Sequence, residues 1–237
     1  MCGIAGILRF DNELIKIQHL KNMTDSIAHR GPDDEGQWVS KSKNIGLGHR
    51  RLSIIDLSKN ARQPMHYLNR FSIVYNGEIY NYLELKAYLK LKNYHFSSKS
   101  DTEVLLALYA EKGKKMLQDL DGMFAFAIWD SLKKELFCAR DRFGEKPFFY
   151  YKDKNVFLFA SEMKALWAYG IPKSVKEDRV QSYVETGSIE SKSSKNETYF
   201  YNINKLDSAK LLSINIDGNI DVSEYWNLDS IKTNTNI

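Results

Sequence analysis

Cysteine is scarce in this chain, with only Cys2 and Cys138 among 237 residues. Two thiols in unlike settings exclude a disulfide scaffold and make a reducing cytoplasm the expected location. Cys138 lies in Leu136-Phe137-Cys138-Ala139, an apolar strand in which a buried, inert thiol is the ordinary outcome. No apolar run approaches the roughly 20 residues that a membrane-spanning helix needs. The basic n-region and long h-region of a secretory signal are missing too, which argues against a membrane role. Charge of one sign is also lacking: 34 basic residues face 30 acidic ones, and basic clusters are short, as at Lys112–Lys115. That pattern reads as a solvated surface and excludes a nucleic-acid footprint. Neither an internal repeat nor a long linker occurs, and 43% hydrophobic with 13% aromatic content suffices for a sizeable core.

What is present begins at once, with Met1-Cys2-Gly3. A small residue at position 2 permits removal of the initiator methionine, which would leave Cys2 with a thiol and a free α-amine on one carbon. An α-amine titrates at roughly 7.7 to 8.0, so near neutral pH it can take the thiol proton itself or through one water. Such a nucleophile carries its own base and needs no distant histidine. The run Cys2-Gly3-Ile4-Ala5-Gly6-Ile7-Leu8 ties this end into a core, whereas most termini fray.

Apolar residues at Leu14, Ile17, Leu20, Met23 and Ile27 recur at helical spacing and predict an amphipathic helix ending near His29, with Pro32 closing it. His29-Arg30-Gly31-Pro32-Asp33-Asp34 is a charged turn that reads equally well as a solvated loop. Asn44–Asp56 predicts a strand or strand edge with Arg50-Arg51 at its middle. Paired arginines are usually surface charge, but Arg51 beside Leu52, Ile54 and Ile55 is placed to hold a carboxylate bidentately in a cleft. Phe71–Tyr75 predicts a strand that stops at Asn76-Gly77. Asn-Gly between apolar runs is a common hairpin turn; alternatively the Asn76 amide and the Gly77 N–H are two converging donors, as an oxyanion hole requires.

A short helix is predicted near Leu83–Leu91, and Ser100-Asp101-Thr102-Glu103 reads as a capping box opening another that stops at Gly113. Asp101 suits the positive end of that helix, and a carboxylate there can also accept from a substrate ammonium. From Met123 the pattern turns to short strands, Met123–Trp129, Glu135–Ala139, Pro147–Tyr151 and Val156–Ala160, as in an antiparallel meander. Asp141–Pro147 is a tight charged turn between two of them. Ser161 begins a further capped helix, Val180–Val184 belongs to one more, and Ser188–Asn196 is a polar, serine-rich stretch that reads as mobile.

Taken in order, these stretches resemble the class II glutamine amidotransferases, whose glutaminase domains are N-terminal-nucleophile hydrolases. The resemblance is strongest to the N-terminal half of glutamine-hydrolysing asparagine synthetase. It rests on Met1-Cys2-Gly3-Ile4, His29-Arg30-Gly31-Pro32-Asp33, Gly48–Asp56 and Asn76-Gly77-Glu78-Ile79-Tyr80-Asn81. It continues through Ser100–Glu103, Asp121–Phe126, Arg140–Gly144 and Ala160–Leu166. It implies an α+β fold, a four-layer αββα sandwich of two antiparallel sheets. It also implies that Cys2 attacks the side-chain amide of L-glutamine and forms a γ-glutamyl thioester. Asn76 and Gly77 then stabilise the oxyanion, Arg51 clamps the α-carboxylate, Glu78 and Asp101 hold the α-ammonium, and Leu52, Ile54 and Ile55 line the pocket. No metal or cofactor is implied for that step; ATP and magnesium would serve only a synthetase domain or subunit that accepts the ammonia.

By the same resemblance, residues 1–228 form the glutaminase domain and 229–237 a short polar tail. The Ser-Gly-Gly-x-Asp-Ser phosphate loop of the ATP-pyrophosphatase domain does not occur before Ile237. The chain is thus expected to be the glutaminase half alone, whether a truncated product or a separate subunit. Ser208-Ala209 stands where the family usually has a Pro-Gly turn, which implies relaxed constraint or a different turn. Two other readings stay open: an amidotransferase component serving another acceptor such as a sugar, and a non-catalytic glutamine-binding remnant.

Overall fold

The run after Cys2 forms β1 (Gly3–Arg9), and it is apolar on both sides because both of its faces are covered. Ile4 and Leu8 face a second sheet, whereas Ala5 and Ile7 face helices. Gly6 lies over the Phe159 ring, which a Cβ would meet at 2.1 Å.

The structure, a computed structural model, describes residues 1–11, 13–188 and 196–230. After β1 come α1 (Ile17–Ser26), β2 (Asp34–Val39), β3 (Ile45–Arg51), β4 (Met65–Tyr67), β5 (Phe71–Ile79), α2 (Tyr82–Leu91) and α3 (Asp101–Lys112). The chain continues with β6 (Gly122–Asp130), β7 (Glu135–Arg140), β8 (Phe149–Lys152), β9 (Val156–Ala160), α4 (Met163–Tyr169) and α5 (Glu177–Thr186). It ends with β10 (Ile203–Lys205), β11 (Lys210–Asn215) and β12 (Ile220–Glu224). One six-stranded sheet has the order β10-β8-β9-β1-β3-β2 and the other β12-β11-β7-β6-β5-β4. Every pairing between these strands is antiparallel.

Three apolar clusters set the layers. Leu20 and Met23 of α1 and Leu166 of α4 pack on the outer face of the first sheet. Leu47, Val74, Ala127, Cys138 and Phe157 meet between the sheets. Leu89 of α2 and Val104 to Tyr109 of α3 cover the outer face of the second sheet. This is the αββα sandwich that the resemblance implied.

Several local expectations need correction. The first helix starts at Ile17; Leu14 lies outside it and both residues are more than half exposed. β3 ends at Arg51, so the arginine pair closes the strand, and a loop carries Leu52–Ile55. β5 does not stop at Asn76-Gly77 but runs on to Ile79, paired with β6 throughout. Nor do the later strands form one meander: β7 lies in the second sheet and β8 in the first, and Asp141–Lys146 is the crossing between them.

That crossing is anchored by two buried side chains, Asp141 and Arg140. The Asp141 carboxylate accepts from the amides of Phe143, Glu145 and Lys146, and Arg140 donates to the carbonyls of Gly144, Lys146 and Leu206. Ser100 does cap α3, accepting from the Thr102 amide at 3.1 Å, but Glu103 reaches back to Ser97 and Ser98 instead of closing a capping box. Ser161 caps no helix; its hydroxyl accepts from the Ile4 amide. The Ser208-Ala209 turn retains the left-handed conformation that a glycine would favour, with Ala209 at φ 57°. Of Ser188–Asn196 and the tail 229–237, residues 189–195 and 231–237 lie outside the described residues.

Candidate active site

Side chains alternate along a strand, and this places the site. Ile4 of β1 faces the inter-sheet core, so Cys2, two residues earlier, points into the same gap at its end. On β3, Ile45 and Leu47 face that gap, and His49 and Arg51 continue the row. On β5, Val74 does so, followed by Asn76. Where the apolar filling stops, Cys2, Arg51 and Asn76 converge from three strands on the mouth of the sandwich.

A cavity of about 150 Å³ opens there. Cys2, Arg51, Leu52, Ile54, Ile55, Asn76, Gly77, Glu78 and Asp101 all line it, so the nine candidate site residues come to one place. Leu52 donates its amide to the Cys2 sulfur at 3.4 Å, and the Leu52 carbonyl lies 3.5 Å from the same atom. Burial raises the Cys2 thiol above its ordinary range, against the lowering effects of the Leu52 amide, the chain's amino group and Arg51. A neutral thiol at rest is the consequence.

Asn76 is 2% exposed, and its Nδ2 has no hydrogen-bond partner. A buried donor without an acceptor is costly, and a site that awaits an anion is where such a group belongs. Strand geometry turns the Gly77 amide toward the same cavity. β4 pairs only with Phe71–Ile73, leaving the rest of that edge of β5 to side chains. The Tyr75 amide donates to Gln63 Oε1 at 2.6 Å and the Ile79 amide to Asp101 Oδ2 at 3.1 Å. Amides two apart point to one edge, so the Gly77 N–H lies between them on the cavity side. No larger residue fits at Gly77, since a Cβ would sit 2.3 Å from the Met123 carbonyl oxygen.

Asp101, 4% exposed in the first turn of α3, accepts from the Tyr75 hydroxyl at 2.8 Å as well as from Ile79. Burial raises this carboxyl, and those hydrogen bonds only partly offset it. The Arg51 guanidinium donates to the carbonyls of Asp56 and Ser58, so it also ties down the loop that bears Leu52, Ile54 and Ile55. Guanidinium has five N–H donors in all, which leaves capacity for an anion.

Sequence reasoning missed Gln63, Tyr75 and Lys146, which also line the cavity. Gln63 holds the Tyr75 amide, and Lys146 places its Nζ 3.6 Å from the Met1 sulfur. In the sequence, Glu145-Lys146-Pro147 reads only as part of a charged turn. Its link to Cys2 depends on the crossing between sheets, which no local pattern encodes.

Comparison with known proteins bears on the family and the fold. A model of the glutamine amidotransferase domain family matches residues 1–226. A putative glutamine-hydrolysing asparagine synthetase of Methanocaldococcus jannaschii is 42% identical over 98% of this chain and 48% of its own length. A glutamine-hydrolysing asparagine synthetase of Bacillus subtilis is 41% identical over 98% of this chain and 31% of its own. The chain thus spans half or less of the curated relatives it matches. Among solved structures, glutamine phosphoribosylpyrophosphate amidotransferase from B. subtilis superposes with a TM-score of 0.69, covering 94% of this chain and 49% of that one at 21% identity. That likeness bears on the fold alone. Together with the family match, these relatives place the chain among the class II glutamine amidotransferases, as a domain of the type found in glutamine-hydrolysing asparagine synthetases.

Proposed function

We propose that this domain hydrolyses L-glutamine to L-glutamate and ammonia through a γ-glutamyl thioester on Cys2, once Met1 has been removed. The observation that carries the reading is the pair of donors beside the sulfur: the partnerless Asn76 Nδ2 and the edge-facing Gly77 amide line the same small cavity as Cys2. Arg51 would take the substrate carboxylate, while Glu78 and Asp101 would take its ammonium. Asp101 already accepts from Tyr75, Ile79 and, at 3.4 Å, the Ser100 hydroxyl, and would hold the ammonium mainly by its negative charge.

In this scheme the Cys2 amine removes the thiol proton as sulfur adds to the amide carbon. Charge gathers on the former carbonyl oxygen, where Asn76 and Gly77 donate. The protonated amine returns its proton to the departing nitrogen and ammonia leaves. Water then adds to the thioester, losing a proton to the same amine, and glutamate departs as the thiol reforms. Protein groups alone carry these steps; ATP and magnesium would act only on a synthetase domain or subunit.

The ammonia is assigned to an asparagine-forming synthetase because both cited relatives carry that name across twice or more the length covered here. A reducing cytoplasm suits the two free cysteines. The test is intact-mass analysis of protein quenched with acid during turnover. A γ-glutamyl adduct on a peptide that begins at Cys2 is expected; glutamate release with no adduct, or with an adduct elsewhere, would refute the route.

A further inference from the structure

Two motifs remain without a task in that scheme, His29-Arg30-Gly31-Pro32-Asp33 and Ser161-Glu162-Met163-Lys164. The fold brings them together behind the nucleophile. Arg30 donates its Nε to the Cys2 carbonyl at 2.9 Å and a terminal nitrogen to Glu162 Oε1 at 3.0 Å. Its side chain is 9% exposed and crosses directly over Gly3, where an added Cβ would lie 3.4 Å from the Arg30 Cδ. Next to Glu162, Ser161 holds the following residue at both ends: its hydroxyl accepts from the Ile4 amide at 3.0 Å and its amide donates to the Ile4 carbonyl at 2.9 Å.

Glu162 is held in turn. His29 Nε2 lies 3.0 Å from Oε1, and Lys164 donates to Oε2 at 3.0 Å. Burial raises the carboxyl, but the donors Arg30, Lys164 and His29 outweigh it and leave Glu162 below the usual range, hence ionised. With Oε1 shared by Arg30 and His29 and Oε2 taken by Lys164, the carboxylate is a fixed, charged acceptor for one Arg30 nitrogen.

We infer that Glu162 is a positioning residue for the reaction: through Arg30 it fixes the Cys2 carbonyl, and with it the angle at which the sulfur and the α-amine face the substrate. This rests on the glutaminase reading. An N-terminal residue is joined to the chain on one side only, and beyond the contacts of its sulfur with Leu52 it is the Arg30 bond that holds its carbonyl. A displacement on the order of 1 Å in a nucleophile is enough to cost up to about 10²-fold in rate.

The experiment measures steady-state glutaminase kinetics of the Met1-trimmed protein and of E162A, E162Q and K164M. E162A is expected to lower kcat by about 10 to 100-fold with the KM for glutamine within about two-fold. E162Q, which keeps an oxygen acceptor for Arg30 but no charge, is expected to lose at least about three-fold. K164M takes one donor from Oε2 but leaves Arg30 between Glu162 and the Cys2 carbonyl, so it is expected to lose less kcat than E162A. Wild-type kcat in folded E162A or E162Q overturns the inference, as does an equal loss in K164M. If E162A fails to fold, E162Q decides. An inactive trimmed parent would instead defeat the underlying glutaminase reading.

Discussion

The imidazole of His49 donates from Nε2 to the carbonyl of Tyr75 at 3.1 Å, joining the two sheets one layer beneath the cavity. Its other nitrogen has no partner, and the ring is 1% exposed. Burial, with help from Arg51, pushes this histidine from its ordinary 6.5 down to about 4, against the opposing pull of the Tyr75 carbonyl. Because the folded value lies below the unfolded one, the unfolded chain binds more protons between those two values. Stability therefore falls as pH drops through that window, and the loss is complete near the lower value. Urea unfolding at pH 7 and pH 4.5 should reveal on the order of 2 kcal/mol more acid destabilisation in the parent than in H49Q. Equal acid sensitivity would place a charged histidine in the folded core.

Asn76→Ala is expected to lower kcat by about 10² to 10³-fold, the usual effect of losing one oxyanion donor. Because Nδ2 has no partner in the free protein, the melting temperature should change little. A rise in KM with kcat unchanged would assign Asn76 to ground-state binding instead.

Gly77→Ala tests the close approach of β6. The added methyl would meet the Met123 carbonyl and the Tyr75 ring, so the strands must part. Destabilisation of about 1 to 3 kcal/mol is expected, with loss of glutaminase activity as the second donor shifts. Calorimetry alongside the activity assay checks both.

Ala209→Gly acts in the opposite direction. Ala209 holds φ 57° while its amide donates to the Asp141 carbonyl and its carbonyl accepts from the Tyr225 amide, so the turn cannot relax. Relieving the left-handed strain should stabilise the fold by about 1 kcal/mol, seen as a higher urea midpoint with unchanged kinetics. A lower midpoint would mean that the greater freedom of glycine in the unfolded chain outweighs the strain.

Much of this was legible in one dimension. The bounds of Val156–Ala160 are legible because a wholly apolar pentapeptide between polar turns admits little else. Asp34–Val39 was invisible as a strand: β2 is the polar edge of its sheet, where no face demands an apolar alternation. Asn76-Gly77 looked like a hairpin because local turn preference favours one. Pairing with β6 over the whole of β5 overrides that preference, and Gly77 serves close packing instead. Their sequence neighbours make Ser161 and Glu103 look like capping groups, yet both serve residues brought near by the fold, Ile4 and the Ser97-Ser98 pair. Arg51, Asn76 and Asp101 were found because polar groups beside apolar runs carry a local signature. Gln63 and Lys146 sit in segments whose relation to Cys2 depends on chain crossings.

The central claim is that the amine of Cys2 is the base for its own thiol. The most direct measurement compares glutamate release from L-glutamine by protein trimmed to begin at Cys2 with release by protein carrying extra residues before it. The account predicts turnover in the trimmed form and none in the extended form, with Cys2→Ala inactive in either. Equal turnover with and without the extension would contradict it.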